Sequence, residues 1–190
     1  MALIKVAGFD PSLRNWGFAI GVYDSVNKTI QVEKVDICQP AIPSGKQVRQ
    51  NSKDLLCAEQ LTAKAVEVAQ TVQATFVEVP VGSQSARAMA SYGICVGVLG
   101  ALRAGGIPFF EVTPTEVKIA AVNQKNASKQ DMINWAVDLY PNAGWPSYKK
   151  NGAKIISASS AEHMADAVAA IHAGVQLSAF QQLISLIKES

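Results

Sequence analysis

A chain of 190 residues that is 49% hydrophobic and 17% charged can bury a sizeable core, and one domain spanning residues 1–190 is expected. The formal charge of +2 excludes a uniformly basic surface, so any nucleic-acid contact has to be local. Cys38, Cys57 and Cys95 form no CxxC pair, which argues against a disulfide framework or a cysteine zinc site and for reduced packing residues of an intracellular protein.

In chain order, the apolar residues Leu3, Ile4 and Val6 lead to Gly8, Phe9 and Asp10. Pro11 cannot donate to a sheet ladder, so the first strand ends there. After a turn-like segment, 12–15, residues 16–22 are apolar again, which predicts a β-hairpin with Asp10 at the end of its first strand. Asp10 either initiates the turn, as Asp often does, or offers a carboxylate to a metal ion. Residues 29–35 alternate polar and apolar, as a half-exposed strand does. Segment 39–45 holds Pro40, Pro43 and Gly45 and reads as a loop. Asn51 or Ser52 is the expected cap of a helix running to about Gln73. Residues 75–79, TFVEV, read as a buried strand stopped by Pro80, so Glu78 stands at a strand end as Asp10 does.

A polar loop, 81–85, precedes a helix over 85–104 that is rich in Ala, Gly and Val. Its Gly93, Gly97 and Gly100 suit either close packing on the sheet or a subunit interface, and Gly105 and Gly106 stop it. Residues 108–112 form the fifth strand. Thr113 followed by Pro114 starts a short helix, and Asn126 or Ser128 caps another reaching Leu139. Segment 141–160 reads as a loop carrying Lys149, Lys150 and Lys154 beside Trp145 and Tyr148. This basic and aromatic segment suits either DNA contact or a flap whose Trp145 covers the core. Helices over 161–173 and 178–188 close the chain. Three antiparallel strands followed by strands alternating with helices predict an α/β fold, a mixed sheet covered by helices. The start of the chain shows no basic segment before a long apolar run, and the uncharged run 88–102 is too short for a membrane span. Neither a signal peptide nor a membrane partner is expected.

The helix over 161–173 adds to the acids. Glu162 and Asp166 are four residues apart and His163 and Asp166 three apart, so each pair shares a helix face. A helix starting at Ala161 would put these residues near its beginning, where the dipole favours negative charge. A cluster of Asp10, Glu78, Asp166 and His163 would repel itself without a cation, and oxygen-rich clusters suit Mg²⁺ or Mn²⁺.

These residues resemble the RuvC-type Holliday junction resolvases of the RNase H-like nuclease superfamily. The family opening, similar to G-x-D-P-G-x-x-x-x-G, matches Gly8-Phe9-Asp10-Pro11-Ser12 and Gly17. The strand ending in a second acid matches Phe76-Val77-Glu78, and the following loop and helix match residues 83–97. The basic pair falls on Lys118 and Lys129, and a D-A-A-D-A-L-A-like close falls on His163-Met164-Ala165-Asp166-Ala167-Val168-Ala169. Ser12 replaces a glycine, and His163 stands where many members have Asp. Segment 141–160 is longer than the family pattern.

The resemblance implies an RNase H-like mixed five-stranded sheet, three antiparallel strands plus two more, flanked by helices. It implies a dimeric endonuclease, with helix 85–104 as the dimer helix, that nicks four-way DNA junctions symmetrically and leaves 5′-phosphate and 3′-hydroxyl ends. Asp10, Glu78, His163 and Asp166 would hold two Mg²⁺ or Mn²⁺ ions per site, with Glu162 as a second candidate. Lys118 would act at the reacting phosphate. Lys129, Ser83, Gln84 and Arg87 would contact DNA, Arg87 having the alternative of a solvated surface charge, and Lys149 and Lys150 would do so through their loop. His172 is given no role. The implied location is the cytoplasm of a bacterium or a phage-infected cell, or an organelle. Rival readings are a broader branched-DNA or flap nuclease of the same fold and a non-catalytic junction-binding protein. An actin-like ATPase would need two such domains, for which the chain has no room.

Overall fold

The computed structural model describes residues 3–44 and 48–188. Gly45, read above as part of a loop, lies outside the described residues, as does the side chain of Lys154. Strand β1 (Leu3–Asp10) pairs antiparallel with β2 (Trp16–Asp24), and β2 with β3 (Thr29–Cys38). On its other edge β1 pairs parallel with β4 (Ala74–Glu78), and β4 with β5 (Phe110–Val112). The order β3-β2-β1-β4-β5 is the expected mixed five-stranded sheet.

Helices α1 (Gln50–Ala69) and α2 (Ala86–Ala104) cover one face. The other face carries α3 (Pro114–Val122), α4 (Lys129–Leu139), α5 (Ala158–Gly174) and α6 (Ser178–Lys188). Strand side chains alternate between the two layers. Ala7 and Phe9 of β1 and Val77 of β4 pack toward α1 and α2, where Phe9, Trp16 and Phe18 form an aromatic cluster. Ile4 and Val6 of β1 and Phe76 of β4 pack toward α5. The same count of two carries Gly8, Asp10 and Glu78 onto the α5 side.

Thr113 and Glu116 form a reciprocal cap at the start of α3, and Ser128, rather than Asn126, does so with Asp131 at α4. Helix α1 departs from expectation. It starts at Gln50 after Arg49 with no side-chain cap, and it ends at Ala69, leaving Val72 in the connection to β4. Segment 141–160 is not a loop throughout. Its centre is a hairpin of β6 (Ser147–Lys150) and β7 (Ala153–Ile156), turned by Asn151 and Gly152 at φ of 51° and 80°. Asn-Gly between extended runs is a strong turn signal, since both residues accept positive φ. Trp145 is buried and donates its indole N–H to the Tyr140 carbonyl at 2.8 Å, so it belongs to the core.

Helix α5 starts three residues earlier than the spacing suggests, because Ala158, Ser159 and Ser160 form its first turn. Glu162, His163 and Asp166 therefore lie in its second and third turns. The dipole argument, which holds only for the first turn, does not apply to them.

Candidate active site

Asp10 ends β1, and Glu78 ends the parallel neighbour β4, whose register runs Phe9 opposite Val77. Both carboxyl groups therefore stand at the same end of the sheet and on the α5 side. Two glycines let α5 come down on that spot. A Cβ on Gly8 would lie 1.9 Å from the Ala167 carbonyl oxygen, and one on Gly17 would lie 2.0 Å from the His163 carbonyl oxygen. Any side chain at either position would lift the helix. Ala161, Ala165, Ala167, Ala169 and Ala170 of α5 are all fully buried.

The result is direct contact between helix and strand. His163 Nδ1 lies 2.5 Å from Asp10 Oδ2, with both side chains largely buried. Burial opposes charge on this imidazole, but the Asp10 hydrogen bond and the nearby acids outweigh it and raise its pKa. Burial first, then the charges of Asp10 and Asp166, pushes the Glu78 carboxyl up to about 9, although Lys118 pulls the other way. Burial, Asp10 and Glu162 push Asp166 up to about 7, against His163 and Lys118. The three acids and the imidazole form one electrostatic unit, and half-buried Lys118 of α3 feels the same field.

A divalent cation suits this donor set. Carboxylate oxygens and an imidazole nitrogen are Mg²⁺ and Mn²⁺ ligands, and Glu78 Oε2 is buried without a hydrogen-bond partner. Among the described residues no three His, Cys, Asp or Glu groups already converge as a ligand shell. The Asp10 oxygen facing His163 is engaged by it, so these groups form a charge-linked cluster rather than a closed cage.

The other expected residues separate into distinct settings. Lys129, at the start of α4, pairs with Glu162 at 2.5 Å. Glu162 is therefore the partner of Lys129. Ser83 and Gln84 are exposed in the loop after β4, where the Ser83 amide meets Met89 Sδ at 2.9 Å. Arg87 is not a free surface charge, since it forms a two-pronged ion pair with Asp54 of α1 at 2.7 Å. Lys149 and Lys150 are exposed on β6, in the hairpin that leads into α5. His172 is turned away from the site and lies 2.8 Å from the Tyr140 hydroxyl. Sequence reasoning missed Arg14 and Asp54. A lone Asp inside a helix gives no sign of its partners until the helices are packed.

Comparison with solved structures gives a matching architecture. Thermus thermophilus RuvC in complex with a Holliday junction substrate superposes with a TM-score of 0.61 at 18% identity, covering 94% of this chain and 96% of that one. Another Thermus thermophilus RuvC structure gives a TM-score of 0.61 at 18% identity, with 96% and 97% covered. No protein-family model and no curated protein matches the chain. The likeness lies in the arrangement of strands and helices, and on it the chain has the RNase H-like fold of the RuvC-type resolvases.

Proposed function

We propose that this chain is a metal-dependent endonuclease that resolves four-way DNA junctions by paired, symmetric nicks. The observation that carries the reading is the meeting of Asp10, Glu78, His163 and Asp166 at one end of two parallel strands, with a buried Glu78 oxygen left unpaired. One or two Mg²⁺ or Mn²⁺ ions held by these residues would supply charge neutralisation and Lewis acidity for phosphodiester hydrolysis.

The chain's own groups divide the remaining work. His163 orients Asp10 through the hydrogen bond at Nδ1, which leaves its other ring nitrogen for a cation. Lys118, close enough to influence Glu78 and Asp166, would stabilise charge that develops on the phosphate. Water adds to phosphorus as the bond to the 3′ oxygen breaks, giving 5′-phosphate and 3′-hydroxyl ends. Lys129, Ser83, Gln84, Lys149 and Lys150 are exposed and would contact the DNA backbone. Two copies related by a two-fold axis would give the two nicks their symmetry. Support for such a dimer comes from α2, whose outer face carries exposed Met89, Val96, Gly93, Gly97 and Gly100 and no charge between Arg87 and Arg103.

The test is cleavage of labelled four-way junction, linear duplex and flap DNA with Mg²⁺, Mn²⁺ or EDTA. Asp10→Asn and Glu78→Gln are each expected to lower junction cleavage by at least about a hundredfold, since they remove candidate ligands and not DNA contacts. Junction binding should persist. Retained cutting by either variant would sink the site assignment, and equal cutting of flaps would replace the resolvase reading with a broader branched-DNA nuclease.

A further inference from the structure

Arg14 lies in the β1–β2 connection, shortly after Asp10, and Arg87 lies in the first turn of α2. Both reach one carboxylate, Asp54 of α1, which is 7% exposed. Arg87 donates through Nη1 and Nη2 to Asp54 Oδ2 and Oδ1, each at 2.7 Å. Gln50 Nε2 donates to Oδ1 at 2.9 Å. Arg14 Nη2 stands 3.5 Å from Oδ1, and its Nη1 lies 2.9 Å from Cys57 Sγ.

One two-pronged guanidinium and one amide already satisfy a buried carboxylate. The second arginine exceeds what neutralisation needs. The two cations and one anion leave a net positive cluster, and the Arg14 and Arg87 side chains are 38% and 49% exposed. Arg87 also works against its own helix. The first turn of a helix favours acids, yet α2 has none there. Two independent features, a surplus guanidinium and a cation held at a positive helix end, thus build one anion-attracting patch.

The patch has a definite place. Leu13 is buried in the same cluster as Cys57, Leu61 and Cys95, and the β1–β2 connection and the start of α2 follow the strands that end in Asp10 and Glu78, so Arg14 and Arg87 lie toward the acids' end of the sheet. Lys118 and Lys129 border them from the opposite layer. A polyanion crossing the end of the sheet would meet cations on both sides.

We propose that Arg14 and Arg87 form a guanidinium clamp for a DNA phosphate backbone, with Asp54 as the positioning residue that sets the two side by side. The clamp rests on the nuclease reading above. Each guanidinium has five N–H donors, so donors remain for phosphate after Asp54 is served.

The experiment is binding of labelled four-way junction in EDTA across a salt series, with thermal melting of every variant. Arg14→Gln and Arg87→Gln are each expected to weaken binding about three- to tenfold and to lower the salt slope by about 1. Arg87→Lys keeps the charge but not the fork, and it should retain most of the slope. Asp54→Asn removes a negative charge, which alone would tighten binding. If Asp54 positions the clamp, this variant instead binds several-fold more weakly while still folded at the assay temperature. Tighter binding by it would overturn the positioning role. Wild-type binding with unchanged slopes in both Arg→Gln variants would overturn the clamp and leave the nuclease reading intact. No junction binding by the wild type would overturn the nuclease reading, and the clamp with it.

Discussion

Glu78 ends β4 with one carboxylate oxygen buried and unpaired, while burial first and then the acids nearby resist its ionisation. The sign of the linkage follows. Glu78 and Asp166 ordinarily lose their protons near pH 4, but in the folded chain they hold them to about 9 and about 7. His163 likewise keeps its proton to a pH above its ordinary value. Between these limits the folded state binds more protons than the unfolded one, so stability falls as pH rises. Thermal melting of the metal-free protein should show a Tm that drops by about 10 °C from pH 5 to pH 9, on the order of a few kcal/mol. Added Mg²⁺ or Mn²⁺ should restore more at pH 9 than at pH 5, because a cation replaces the lost protons. Glu78→Gln, which has no proton to lose, should flatten the decline. A Tm that climbs with pH over this range would show that the acids ionise freely and are not clustered.

At the scale of elements, the site depends on how closely α5 meets β1 and β2. That closeness has its origin in Gly8 and Gly17, whose missing side chains leave room for the carbonyls of Ala167 and His163. Gly17→Ala would set a methyl 2.0 Å from the His163 oxygen, less than any tolerable contact. The helix must shift, which detaches His163 from Asp10. Denaturant unfolding should show a loss of about 2–4 kcal/mol, and metal affinity should fall with it. An unchanged stability would mean that the helix has slack at this point. Here the sequence was informative. Asp10 and Glu78 were legible because proline follows each strand within two residues, and the alternation of two put both on one face. The start of α5 was less legible, because Ser159 and Ser160, residues that favour turns, stand in its first turn. The β6–β7 hairpin was legible in principle through Asn151-Gly152, but lysines in place of an apolar alternation hid its strands. The Arg14, Asp54 and Arg87 cluster was not legible at all, since it joins three elements that are distant in sequence.

At the scale of the whole molecule, the outer face of α2 stands exposed. The inner face buries Cys95, Val98, Leu99 and Leu102 on the sheet. On the outer face, a Cβ added at Gly93, Gly97 or Gly100 would meet nothing within 4 Å. Glycine is the least favourable helix residue after proline, at about 1 kcal/mol each relative to alanine. No contact among the described residues explains three of them in one helix, whereas close approach of a second backbone would. Arg87 and its Asp54 partner lie on the flank facing α1, so a contact along this stripe leaves the proposed clamp accessible. The expected outcome for Gly97→Leu is therefore asymmetric. At dilutions where the wild type is itself monomeric, the variant should melt at the same temperature or slightly higher, because helix propensity improves and no internal contact is lost. Sedimentation velocity should show the wild type as a dimer and the variant as a monomer, since the added side chain wedges the two helices apart. Gly97→Ala, adding only a methyl, should fall between them. On a four-way junction, the monomeric variant should nick single strands without the paired timing that two linked sites impose. A wild type that stays monomeric at every concentration would remove the interface and leave those three glycines without an explanation in the fold.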